Sequence, residues 1–154
     1  MAKTLGYMVT WTTYGTWLQG DARGYVKNGK IYPGNEFLKH TNKQLQSQDE
    51  IRLSKVQQQA VREAIIKEAQ LQGQRIFALA VNATHVHIVA GHTLQPISKI
   101  VAYYKKAARI ALKAMGHNGN LWTKGYDKRY CFDQRTLQRR IKYVQLQTPG
   151  ETGG

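Results

Sequence analysis

Residues 75–90, RIFALAVNATHVHIVA, form two apolar runs, Arg75 to Val81 and Thr84 to Ala90, parted by Asn82-Ala83. Short apolar runs on either side of a turn signal read as neighbouring antiparallel strands. Successive side chains of a strand face opposite ways. His85 and His87 therefore share one face, about 6 to 7 Å apart, while Val86 and Ile88 share the other. That spacing suits two ligands of one metal ion. An isolated His-x-His is more often a pair of half-exposed strand histidines, so the surrounding chain has to decide.

Upstream, Leu5, Tyr7, Val9, Trp11 and Thr13 alternate with Gly6, Met8, Thr10 and Thr12, the pattern of a first strand. Tyr25 to Lys27 and Lys30 to Tyr32 flank Asn28-Gly29, the favoured type I′ pair, which predicts a small hairpin. Residues 33–46 read as loop. Ser47 with Glu50 makes a capping box, predicting a helix to about Gln72 that stops at Gly73. Its apolar stripe is Ile51, Val56, Ala60, Ala64, Ile65 and Ala69. Downstream, a helix is expected from near Pro96 to near Gly116. A last strand follows over Leu121 to Phe132, bent or bulged at Gly125. Asp133 then caps a helix of about Gln134 to Gln147, closed by Pro149.

The order strand, helix, strand, strand, helix, strand, helix specifies an α+β chain. Its plan is a ferredoxin-like antiparallel sheet with an early hairpin, helices on one face and an added C-terminal helix that carries Tyr143. Val86 and Ile88 then pack under the helices, and His85, His87 and Val89 look out from the open face. A single domain over residues 1–148 is expected, with a short flexible tail at 149–154. At 154 residues, one domain buries roughly 68–70% of its unfolded surface, enough for a core.

Lys and Arg number 23 against 9 Asp and Glu, a formal charge of +14. The bias deepens in residues 98–147, where twelve basic residues face only Asp127 and Asp133. Such an excess with interleaved aromatics favours a polyanion, nucleic acid before a membrane surface. No run approaches 18 apolar residues and the start has no signal-like segment, so no membrane association is expected. Cys131 is the single cysteine. No internal disulfide can form, which fits a reducing cytoplasm. A structural zinc site is a poor reading of the histidines, since it wants four ligands, usually including cysteine.

On a helix, residues four apart share a face, so Tyr143 sets a phenol beside the carboxamide of Gln147. These four residues, with other segments in order, resemble the HUH endonucleases (histidine, bulky hydrophobic, histidine). Within them the chain is most similar to the single-tyrosine transposases of insertion sequences and their repeat-associated relatives. The other segments are Val9, Thr10 and Trp11; the run Gly15 to Asp21; Ile97, Ser98, Lys99 and Ile100 opening a helix; and Trp122 with Lys124, Gly125 and Tyr126. The resemblance spans about Leu5 to Gln147. Members commonly carry Pro and Asn before the first histidine, where this chain has Ala83 and Thr84.

The resemblance implies a divalent ion, Mg2+ or Mn2+, held by His85, His87 and Gln147, with no small-molecule cofactor. It implies Tyr143 as nucleophile, a 5′-phosphotyrosyl intermediate, and single-stranded DNA with hairpin ends as substrate. A homodimer is expected; the tyrosine helix either packs over its own sheet or reaches across to a partner's, and the second arrangement is the one favoured. Arg139 and Arg140, four and three residues before Tyr143, are placed to favour its phenolate. No general base is evident. Lys99, Lys105, Lys106, Arg109 and Lys113 recur at helical spacing as phosphate contacts. Of Tyr103 and Tyr104, about 100° apart on a helix, one is expected in the core and the other on DNA. Tyr126 and Tyr130 could stack on bases. His40, His92 and His117 read as surface or loop residues. Two alternatives remain: a relative that binds hairpin DNA or RNA without cutting, and an HUH nickase for replication or conjugation.

Overall fold

A computed structural model describes residues 3–16, 25–27, 30–32 and 50–147. All seven residues of β1 (Gly6–Thr12) are buried, although their side chains alternate between faces. A strand achieves that only when both faces of its sheet are covered. β1 is an inner strand of a four-stranded antiparallel sheet of order β4-β5-β1-β6. Its partners are β4 (Ile76–Val81), β5 (His85–Gly91) and β6 (Asp127–Cys131).

On the first face, Tyr7, Val9, Trp11, Val86 and Ile88 pack against two helices. α1 (Lys55–Gln72) contributes Val61, Ile65 and Ala69, and α2 (Ile97–Ala114) contributes Ile100, Val101, Tyr104, Ala108 and Leu112. Buried Gln74, just past α1, donates to the Tyr7 hydroxyl at 2.6 Å and to Gly91 O at 2.9 Å, and accepts from the Tyr104 hydroxyl. That network ties both helices to the sheet, and burial raises both phenols above the usual tyrosine range. Trp122 packs edge-on against Trp11, with ring centroids 5.9 Å apart.

The second face is not open, as the sequence reading had it. α3 (Gln134–Leu146) lies across it, with Leu137 and Val144 buried against Met8, Ala78, Ala80, Val89 and Cys131. Leu137 and Val144 are seven apart, two helical turns on one side. With Ile141 packed beside them, they form a narrow apolar stripe on a largely polar helix, and the remaining apolar surface of the sheet gives it a place to dock.

The first helix starts later than expected. Ser54, not Ser47, is the N-cap, and its capping box is completed by Gln57. Residues 51–53 are held in extended form by bonds from Ile51 N to Tyr14 O and from Leu53 N to Ala83 O. Leu53 is buried by that attachment, whereas Val56, expected in the stripe, is exposed. Ser47 lies outside the described residues, as do loop 33–46, most of the run from Gly15 to Asp21, and the tail 149–154. The C-terminal stop stands: Gly73 has φ +67° and its N–H bonds the carbonyls of Ala69 and Gln70.

The early hairpin is present as β2 (Tyr25–Lys27) and β3 (Lys30–Tyr32), with Lys27 opposite Lys30. Its Asn28-Gly29 turn is not among the described residues. The last strand is shorter than Leu121 to Phe132. Gly125 takes φ +87°, and only an isolated bridge between Thr13 and Trp122 precedes the break. α2 and α3 match their expected spans, although Pro96 occupies the cap position of α2.

Candidate active site

Register places the histidines. β5 pairs with β1 so that His87 lies opposite Thr10 and His85 opposite Thr12. Thr10 Oγ1 is 3.0 Å from His87 Nδ1, and Thr84 Oγ1 is 2.8 Å from His85 Nδ1. Among the described residues neither Nε2 has a hydrogen-bond partner. The two rings are nearly parallel, 8° apart, with centroids separated by 6.0 Å. Burial, reinforced by the neighbouring His85, pushes His87 down to about 4. Burial lowers His85 as well. Both are therefore neutral at physiological pH, the form in which imidazole ligates a metal. A ring whose Nδ1 is fixed by a hydroxyl and whose Nε2 is free has the orientation that metal-ligating histidines generally show.

α3 brings the phenol to this pair. Asp133 caps the helix by accepting from Thr136 N at 2.7 Å, and the Leu137–Val144 stripe fixes the rotation about its axis. Tyr143, beside Val144, stands edge-on to His87 with ring centroids 6.0 Å apart and planes at 84°. It remains 44% exposed. Gln147 closes the same helix one turn later, half-buried. The structure thus brings His85, His87 and Tyr143 together, with Gln147 at the C-cap of the tyrosine helix.

The sequence leaves cis and trans arrangements of the tyrosine open. Here α3 packs on its own sheet, because Leu137 and Val144 find their apolar partners on the chain's own β1, β4, β5 and β6.

The basic residues divide between the two faces. Lys99, Lys106, Arg109 and Lys113 are exposed along α2, on the opposite side of the sheet from Tyr143. Lys105 is engaged internally, donating to Thr123 O at 3.0 Å and Gly125 O at 2.8 Å. Desolvation lowers its pKa. It anchors the 123–125 loop to α2, as does Trp122 Nε1 bonding to Lys105 O. Arg139 and Arg140 lie on α3, the first exposed and the second half-buried. Arg139 acts on Asp133 and Arg140 on Cys131, whose thiol is raised chiefly by burial. Tyr104 is core, and Tyr103 is half-buried against the same core. His92 is exposed and His117 caps a loop at Asn120 O.

Two residues of the site were not read from the sequence, Thr10 and Thr84. Thr10 becomes visible only once β1 and β5 are in register. Thr84 stands at one of the two positions that differ from the common pattern before the first histidine, and its hydroxyl meets the His85 ring. If His85 and His87 hold a divalent ion, Thr10→Val, which keeps the shape and removes the hydroxyl, is expected to lower Mn2+ affinity about 10- to 100-fold, whereas Thr10→Ser retains it. Calorimetric titration of both variants, with thermal melts to verify folding, checks this.

No protein-family model matches the chain, and no curated protein sequence does. Solved structures do match. One is a candidate transposase from Deinococcus radiodurans, with a TM-score of 0.50 at 19% identity over 96% of this chain and 94% of that one. Another is a REP-associated tyrosine transposase bound to a REP hairpin, with a TM-score of 0.57 at 15% identity over 100% of this chain and 72% of that one. At such identities the likeness speaks to architecture, and the chain has the fold of the tyrosine transposases.

Proposed function

We propose that this chain cleaves and rejoins single-stranded DNA as a single-tyrosine transposase, with Tyr143 as its nucleophile. The observation that carries the reading is the Tyr143 ring against His87, beside two neutral imidazoles with free Nε2 atoms. His85, His87 and Gln147 are the residues to hold Mg2+ or Mn2+, a donor set without carboxylates. When bound, the ion supplies Lewis-acid polarisation of a non-bridging phosphate oxygen.

The Tyr143 hydroxyl attacks phosphorus in line. An O–P bond forms to the phenol, the bond from phosphorus to the 3′ oxygen breaks, and the departing 3′ oxygen takes up a proton. The resulting aryl phosphodiester remains an activated ester, so a DNA 3′-hydroxyl can reverse the step and join strands without nucleotide energy. α3 contains no acid, and Arg135, Arg139, Arg140 and Lys142 give the nucleophile's helix a positive field toward phosphate. Lys99, Lys106, Arg109 and Lys113 make a second basic surface for the hairpin. In a homodimer each subunit would carry its own complete site. The deciding experiment is a metal-dependent covalent adduct on a suicide oligonucleotide, from which the short upstream fragment bearing the free 3′-hydroxyl dissociates and cannot return.

A further inference from the structure

β6 borders the sheet: one side pairs with β1, and no described strand pairs with the other. Its register sets Arg129 opposite Met8 and Tyr130 opposite Tyr7. Asp127, Arg129 and Cys131 therefore face α3, while Lys128 and Tyr130 face the side of α1 and α2. Phe132 continues the second row, its ring stacked on Tyr130 at 5.9 Å and 24°. The Lys128 ammonium lies 5.7 Å from the Tyr130 ring centroid. Both residues keep about half of their surface in solvent: Tyr130 is 44% and Phe132 51% exposed.

Two half-exposed aromatics on an unpaired edge strand invite association, which natural edges generally avoid. The charge around them decides what covers them. Lys128 lies over the row, and Lys124, Arg129 and Arg135 are its neighbours in sequence. The two nearby acids are engaged, Asp127 with Arg129 at 3.3 Å and Asp133 as the cap of α3. A second copy of a chain of charge +14 meets repulsion here, whereas a polyanion with flat π faces meets attraction from both the cations and the rings.

We propose that Lys128, Tyr130 and Phe132 form a stacking site for unpaired bases of single-stranded DNA. Bases insert against the Tyr130–Phe132 pair, and Lys128 neutralises an adjacent phosphate. Because alternate residues of β6 reach both faces, a strand seated on this edge connects the basic surface of α2 with the face that holds Tyr143. The inference rests on the proposed DNA chemistry for its ligand class.

The test is fluorescence anisotropy with a short labelled oligothymidine and a blunt DNA duplex, using the full chain. Tyr130→Ala and Phe132→Ala should each weaken oligothymidine binding at least about fivefold, with duplex affinity held within about twofold. Tyr130→Trp should restore single-strand binding, and Lys128→Gln should reduce the salt slope by about one. Photocrosslinking of 5-iodouracil DNA to the wild-type chain needs no variant, and should map to Tyr130 or Phe132. Unchanged oligothymidine affinity in the folded Ala variants, or crosslinks confined elsewhere, overturns the stacking site alone. Loss of a wild-type dimer in those variants with DNA affinity intact assigns the edge to a second copy and also overturns it. A wild-type chain that binds no single strand removes the proposed DNA chemistry as well.

Discussion

Tyr143→Phe is expected to reduce covalent protein–DNA adducts below detection while hairpin and single-strand binding stay within about a few-fold. Only the hydroxyl is lost. The ring still packs edge-on to His87, and α3 keeps its Leu137–Val144 anchor. Four other described phenols are poorly placed to substitute. Tyr7 and Tyr104 are buried under α1 and α2, and Tyr103 lies against that same core. Tyr130 projects from β6 on the face opposite α3. Adduct yield on denaturing gels, beside anisotropy for binding, measures both arms. Persistent adducts in the variant would assign the nucleophile elsewhere.

Loss of the imidazoles should be as severe, and it also tests where the site is assembled. His85→Ala/His87→Ala is expected to suppress cleavage by more than the roughly 10- to 100-fold typical of losing an outer-shell partner. DNA binding should persist, because the basic surfaces are untouched. Mixing this variant with Tyr143→Phe protein should then leave cleavage absent, since each chain lacks half of a site built on its own sheet. Recovery of cleavage in the mixture would show that α3 crosses to a partner, against the packing of Leu137 and Val144 on Met8, Ala78 and Val89.

What could be read from the sequence followed strict periodicity and strong local signals. Alternation located β1, an apolar run beside a turn signal located β5, and Asp133 and Gly73 marked helix ends. Long-range pairing set what could not be read. Ser47 and Ser54 are equally plausible caps by composition, and the choice falls on Ser54 because β1's end and Ala83 hold residues 51–53 in extended form. The histidine face looked open because α3 carries so little apolar surface that its docking is apparent only beside Met8, Val89 and Cys131. Lys105 has the helical spacing of a phosphate contact, yet the carbonyls of Thr123 and Gly125 engage it. The Thr10 contact with His87 depends on strand register, which residue spacing alone does not fix.

The most direct measurement is mass spectrometry of the wild-type chain trapped on a suicide oligonucleotide with Mn2+, and again with EDTA. The account predicts a 5′-phosphate ester on the Tyr143 phenol, formed with metal and absent with chelator. A covalent adduct on any other residue, or one formed equally well in EDTA, would contradict it.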